Sequence, residues 1–303
     1  MELRHILTAI FVACIWGFNF VMVKTGLGEM PPFLFVGIRY FCACFPIIFF
    51  IKKPPVSNWI IIGIGFTLGI TKFSLMFLGI YLGVSAGIAS LLMQTQAFFT
   101  IILSILIFKS RVTFHQILGM VIAFTGIFLI GVESHGTASL VGFFLLIIAA
   151  FFWAISNIIT KQAGPIDMFP LVIWTSLVPP LPMLGFSLTF EGTDVLAQTW
   201  AQLTWYGAFC ALYTAWIATW LGATLWGKLL SLYSPAVVAP YSLLIPVFAI
   251  VSSWLCLGES MSLLAIFASV LIFLGLVIPK TFQEACFRIW KLSLIRPVMD
   301  MAI

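Results

Sequence analysis

Charge is scarce in this chain: 14 Lys and Arg and 9 Asp and Glu among 303 residues, or 8%. A soluble domain carries about a quarter charged residues. Set against an apolar fraction of 63%, the shortage leaves too little polar surface to keep the chain dissolved. Acids are the scarcest group. None of the nine lies in the interior of a long apolar run, which excludes paired carboxylates and acid-rich metal sites within the membrane. The only histidines, His5, His115 and His135, all fall at the edges of such runs, so no zinc site is expected. No Gly-rich phosphate loop is present, which removes nucleotide-driven pumping, and no Ser-His-Asp set can be assembled. Cys14, Cys42, Cys44, Cys210 and Cys256 lie inside apolar runs and Cys286 lies beyond the last one, without metal-ligand spacing. They read as free, inert thiols. Enzyme chemistry, a metal and a cofactor are therefore not expected.

What the chain has in abundance is apolar length. A spanning helix needs about 20 apolar residues. Ten stretches qualify: 6–27, 32–51, 58–80, 84–107, 114–132, 139–161, 169–189, 203–226, 235–257 and 262–280. Strands are excluded, because membrane barrels use alternating segments about half that long. The expected class is an all-α membrane protein of ten transmembrane helices. The first stretch is too long for a cleaved signal and is expected to stay as helix one. With the N-terminus inside, Arg4, Lys52, Lys53, Lys109, Arg111, Lys161, Lys228, Lys280, Arg288, Lys291 and Arg296 all fall on the inner side. The outer connections hold Glu29, Glu133, Glu191, Asp194 and Glu259. That asymmetry places both termini in the cytoplasm. The net charge of +5 thus reflects topology and a basic tail, not a nucleic-acid partner. Cations and aromatics alternate in that tail, which suits either an interfacial helix on membrane lipids or a disordered topology signal.

The chain also repeats itself. Trp16 with Asn19 and Lys24 has a counterpart in Trp153 with Asn157 and Lys161, the Trp-to-Lys distance being eight residues in both. At an offset of 149, the segment from Ala97 to Gly126 aligns with that from Pro246 to Gly275. Five helices per half is an odd number, so the second half enters from the opposite side, as the Lys and Arg bias independently requires. The expected organisation is a first repeat over 1–135, an inverted second repeat over 136–281 and a cytoplasmic tail over 282–303. Inverted repeats with a midplane site between them point to a secondary transporter.

Trp16-Gly-Phe-Asn-Phe-Val-Met-Val-Lys24, Met30-Pro-Pro-Phe-Leu-Phe-Val-Gly-Ile-Arg39, Gln94-Thr-Gln-Ala-Phe-Phe-Thr100, Leu171-Val-Ile-Trp-Thr-Ser176 and Val238-Ala-Pro-Tyr-Ser-Leu-Leu-Ile-Pro246 occur in that order. Through them the chain resembles the EamA branch of the drug/metabolite transporter superfamily over roughly residues 5–280. Within the branch it is most similar to bacterial O-acetylserine/cysteine exporters. The resemblance implies ten helices, an inverted five-plus-five repeat and export of amino acids or related metabolites across the bacterial inner membrane. One departure is Ser110 where the family usually has Glu, while Glu259 is kept in the second half.

Arg39 and Lys72 fall inside predicted spans, where a bare charge costs on the order of 3 kcal/mol. With no acid to neutralise them, they favour an anion such as a substrate carboxylate; carbonyl contacts or snorkelling are the structural alternatives. Lys24, a turn from the outer end, reads as a snorkelling side chain. Trp16 with Asn19, and Trp153 with Asn157, each share a helix face and suit a small amphipathic ligand or plain packing. Gln94 and Gln96 stand ~200° apart on a continuous helix, so one faces the interior, and Gln96 is preferred. Gly65 and Gly69, and Gly83 and Gly87, read as close-packing pairs. Pro240 and Pro246 are expected to kink helix nine, and Pro179, Pro180 and Pro182 helix seven. The expected partner is a small zwitterionic or anionic metabolite. A broader drug/metabolite carrier and a non-transporting scaffold or sensor are the alternatives.

Overall fold

The computed structural model describes residues 1–108, 114–137, 140–164, 166–232, 241–242, 244–264 and 266–275. The basic tail, Ser110 and Pro240 lie outside these residues. All regular structure among the described residues is helical, as hydrocarbon demands of a chain whose backbone groups have no water to bond. Six stretches are long and apolar enough to cross a membrane: Leu3–Gly26, Pro32–Phe49, Asn58–Tyr81, Leu140–Thr160, Met168–Glu191 and Trp205–Trp226. Shorter apolar helices run over Ile117–Leu129, Leu244–Leu257 and Ile266–Gly275.

In chain order, α1 is Leu3–Gly26 and α2 is Pro32–Cys44. The next helix, α3, covers Asn58–Tyr81 and contains a π-helical segment, Gly65–Lys72. Then come α4 (Ala86–Met93), α5 (Gln96–Phe108), α6 (Phe114–Thr137) and α7 (Leu140–Gln162). Met168–Ser176 forms α8, and Pro180–Phe186 forms α9, which a π turn at Ser187–Glu191 extends. A short α10 (Thr193–Gln202) leads into α11, residues 205–232, with a third π-helical segment at Tyr213–Gly222. Leu244–Leu257 is α12 and Ile266–Gly275 is α13.

Helices of the first half pack on helices of the second. The closest partners are α1 with α12, α3 and α5 with α7, α2 with α9, and α4 with α12. Small residues set these approaches. A Cβ on Gly17 would lie 2.5 Å from the Phe248 Cβ and 2.8 Å from the Ile245 carbonyl, so α1 and α12 touch at backbone distance. Gly79 and Gly142 do the same for α3 and α7.

Several expectations change here. The span expected over 84–107 is not one helix: α4 stops at Met93, α5 starts at Gln96, and the angular argument separating Gln94 from Gln96 does not apply across the break. Gly65 and Gly69 do pack closely, against Val178 and Pro179, and Gly87 meets Ile250. Gly83 does not pack: its φ is +107° and nothing comes within 4 Å of its missing Cβ, so it serves a left-handed turn. Pro179, Pro180 and Pro182 do interrupt their span, between Ser176 and Pro180. Pro246 sits in the first turn of α12, where its missing N–H is no loss.

Gly17→Val is expected to destabilise the protein by about 1–3 kcal/mol through overpacking. Gly185→Ala, whose Cβ would enter open space, is expected to leave stability unchanged or slightly raised. Thermal unfolding of the detergent-solubilised variants measures both.

Candidate functional site

Three glutamates stitch one end of the helical bundle. The start of α2 is Pro31-Pro32, which offers no side-chain acceptor for the free amides that follow. Glu191 supplies them from the other half: the Phe33 N–H donates to Oε1 at 2.6 Å and the Leu34 N–H to Oε2 at 3.1 Å. The Ser187 hydroxyl donates to Oε2 at 2.6 Å and fixes that carboxylate. Glu29 accepts from the Thr204 N–H and hydroxyl at the start of α11. Glu259 accepts from the Ala86 N–H at the start of α4 (3.0 Å) and pairs with the Lys24 ammonium at 2.8 Å. Lys24 is therefore ion-paired, not merely snorkelling. A carboxylate at a helix N-terminus meets both free N–H groups and the positive end of the helix dipole.

At the other end of α2, indoles take over. The Trp216 and Trp220 N–H groups donate to the carbonyls of Cys42 (3.0 Å) and Ala43 (2.8 Å) in the last turn. Trp174 donates to Ile51 at 3.1 Å. The Cys42 and Ala43 carbonyls belong to the last turn of α2, whose carbonyls have no partner within the helix.

Between these two seals lie the candidate residues. Arg39 on α2 is 4% exposed and Lys72 on α3 is 6% exposed. Both stand over the Phe73 ring, the guanidinium carbon 3.8 Å and the ammonium 3.4 Å from its centre. Trp153 on α7 lies 4.8 Å from the same ammonium, and Tyr40 lies 5.4 Å from the guanidinium. Desolvated cation–π contacts of this kind contribute about 2 kcal/mol each. One Arg39 nitrogen, Nη2, donates to the Thr219 hydroxyl at 3.0 Å. That hydroxyl donates to the Thr214 carbonyl five residues back, a spacing that the π-helical turn provides. Nε and Nη1 of Arg39 are buried without partners. No carboxylate lies within ion-pair distance of either cation among the described residues.

The other candidates fall elsewhere. Asn157 donates to Gln96 Oε1 at 2.7 Å, so these two hold α7 to α5. Gln94 also bridges the halves, donating to the Ser242 carbonyl at 2.9 Å. Trp16 donates to the Ala218 carbonyl at 2.9 Å and lies over Gly222, which leaves room for its indole. Asn19 is buried and its Oδ1 has no partner. The fold thus gathers Arg39, Lys72 and Trp153 into one cluster and pairs Gln96 with Asn157, while Trp16 docks on α11. Phe73 and Thr219 belong to the cluster and were not foreseen. Thr219 left a weak signal, a hydroxyl five residues after Thr214 in an otherwise apolar stretch. Phe73 left none among 31 phenylalanines.

This frame of inter-half seals around a buried cationic cluster can be compared with known proteins. The EamA-like transporter family matches the chain twice, over residues 3–132 and 140–279. This chain belongs to that family. As an EamA-like transporter it is a multi-pass membrane protein and not an enzyme. A Salmonella typhimurium protein named a probable amino-acid metabolite efflux pump is 39% identical over 276 residues, covering 89% of this chain and 92% of the relative. Its Escherichia coli namesake is 37% identical with the same coverage. An uncharacterized Bacillus subtilis transporter is 26% identical over 90% of this chain and 95% of its own length. A solved crystal structure superposes with a TM-score of 0.54 at 16% identity, covering 92% of this chain and 99% of that one, so the fold is shared.

In this EamA-like chain, Glu259→Ala is expected to cost about 1–2 kcal/mol, since it removes both an ion pair and the Ala86 cap. Lys24→Ala is expected to cost under about 1 kcal/mol. A double-mutant cycle read by chemical denaturation separates the two contributions; equal single losses would show that the cap contributes nothing.

Proposed function

We propose that this protein exports small amino acids or related metabolites, of the cysteine and O-acetylserine type, across the bacterial inner membrane by alternating access. In this reading ten helices form two inverted five-helix repeats, over 1–135 and 136–281, and both termini face the cytoplasm. The two family matches, one in each half, support the repeat. The Lys and Arg bias supports the orientation. Two relatives near 38% identity carry the name of probable amino-acid metabolite efflux pumps, which supports the substrate class.

The observation that carries the reading is the buried pair of Arg39 and Lys72, two cationic side chains between the halves with no carboxylate in ion-pair distance among the described residues. Stability alone gives little reason to keep such charges in hydrocarbon. An amino-acid carboxylate neutralises part of their charge on arrival, and the Phe73 and Trp153 rings offer faces to its side chain. Asn19, with its free carbonyl oxygen, is assigned to the lining. Trp16, Gln96 and Asn157 border the pathway and hold its walls. A cationic drug finds no counter-charge here, so multidrug efflux is disfavoured.

Proteoliposomes preloaded with labelled cysteine, O-acetylserine, aromatic amino acids and a cationic dye test this. Amino-acid efflux well above that of protein-free vesicles is the expected result. Dye efflux without amino-acid efflux would sink the proposal.

A further inference from the structure

Hydrogen-bonding capacity is used unevenly along the junction of the halves. Gln96 and Asn157 bond each other, and the Trp16 N–H is taken by a carbonyl. Arg39 keeps two buried nitrogens free, and the Lys72 ammonium has ring faces as its contacts. Both cations sit at similar depth. Arg39 lies seven residues into α2, about 10 Å from its start, and Lys72 lies nine residues before the end of α3, about 14 Å away. Those two helix ends are at the same face of the bundle. The free valences therefore converge well inside, around one phenyl ring, on two cationic side chains.

The acids capable of meeting a substrate ammonium are placed differently. Glu29, Glu191 and Glu259 all sit at helix ends, each holding backbone or hydroxyl donors. A zwitterion entering the cluster brings no net charge and carries its ammonium towards two cations. A carboxylate whose amine is blocked brings one full negative charge and no ammonium to repel.

We infer that Arg39 and Lys72 form a seat for the carboxylate alone, so that anionic carboxylates with an acylated amine are substrates at least as good as free amino acids. Primary amines without a carboxylate are excluded. The inference rests on the exporter reading and narrows its substrate class.

Three thiols that share a skeleton provide the test: N-acetylcysteine (anion), cysteine (zwitterion) and cysteamine (cation). Thermal unfolding of the solubilised protein with each at millimolar concentration reads binding without transport. Efflux from preloaded proteoliposomes reads transport. Expected are a rise in Tm with N-acetylcysteine at least equal to that with cysteine, and none with cysteamine. Efflux should rank the same way. Lys72→Met and Arg39→Gln should abolish the N-acetylcysteine shift and cut its efflux at least tenfold. Lys72→Met should do so with little change in the ligand-free Tm, because the lost cation–π contacts are offset by removal of a buried charge that has no carboxylate partner among the described residues. A shift with cysteine but none with N-acetylcysteine, or an N-acetylcysteine shift unchanged in both variants, overturns the carboxylate seat. Intact shifts with no efflux of any thiol would instead overturn the exporter reading and leave the seat standing.

Discussion

Hydrocarbon offers no hydrogen bonds, so every helix end and every break inside this bundle must be satisfied by the chain itself. That requirement accounts for most of the polar side chains in a sequence that has few. At one end, Glu29, Glu191 and Glu259 accept the free amides of helices starting in the opposite half. At the other, indole N–H groups cover the last carbonyls of α2. Where α4 gives way to α5, Gln94 bonds a carbonyl of the second half. Ser85, Asp167 and Thr204 cap locally, but at these ends each half also depends on the other for partners. The same bonds that keep amides out of bare lipid therefore hold the two halves against one another.

Asn19, Thr25, Thr95 and Thr224 also keep a buried oxygen without a partner, but the Arg39 and Lys72 pair stands out because there the unused capacity is cationic. Two irregular helices present it. Lys72 closes the π-helical segment of α3, and Thr219, which holds Arg39, lies in that of α11. Each half thus contributes a wide-turned segment next to the pair. In α11 the wide turn lets the Thr219 hydroxyl bond a carbonyl five residues back while it still accepts from Arg39. π segments cost regularity and are found most often at functional sites. Here both end beside the buried charges.

Much of this was legible in the residues alone, for reasons that differ from place to place. Long apolar runs predict spanning helices because helix length and bilayer thickness are both fixed, and α1, α3 and α7 fall where the runs lie. Arg39 and Lys72 could be singled out because a charge in an apolar run is costly whatever surrounds it. Local arithmetic failed where it assumed regularity. Gln94 and Gln96 were treated as neighbours on one helix, but the polar triplet Gln94-Thr95-Gln96 is where the helix ends and restarts. Spacing alone makes Gly83 a packing residue, because spacing cannot reveal φ. The capping roles of the glutamates were invisible, since each partner lies 157 or more residues away. Phe73 was hidden by its abundance.

The two kinds of polar group also differ in what movement asks of them. The glutamate caps sit at helix ends, where opening of the bundle lets water replace them. Exchanging a backbone-to-carboxylate bond for bonds to water changes the free energy by about 1.5–3 kcal/mol each. Opening that end is thus a step whose cost is shared among three caps. The cationic cluster has no such exchange available while it is enclosed. Its neutralisation comes from water, when one end opens, or from an anion that travels with the change. An occupant that supplies negative charge therefore lowers the energy of the enclosed form relative to the open ones, which is the condition for carrying a solute across without a through-path. A cation worsens the enclosed form by the same reasoning. In the proposed reading the charge arrangement selects the cargo through the occluded state it passes, not only through affinity at the entrance.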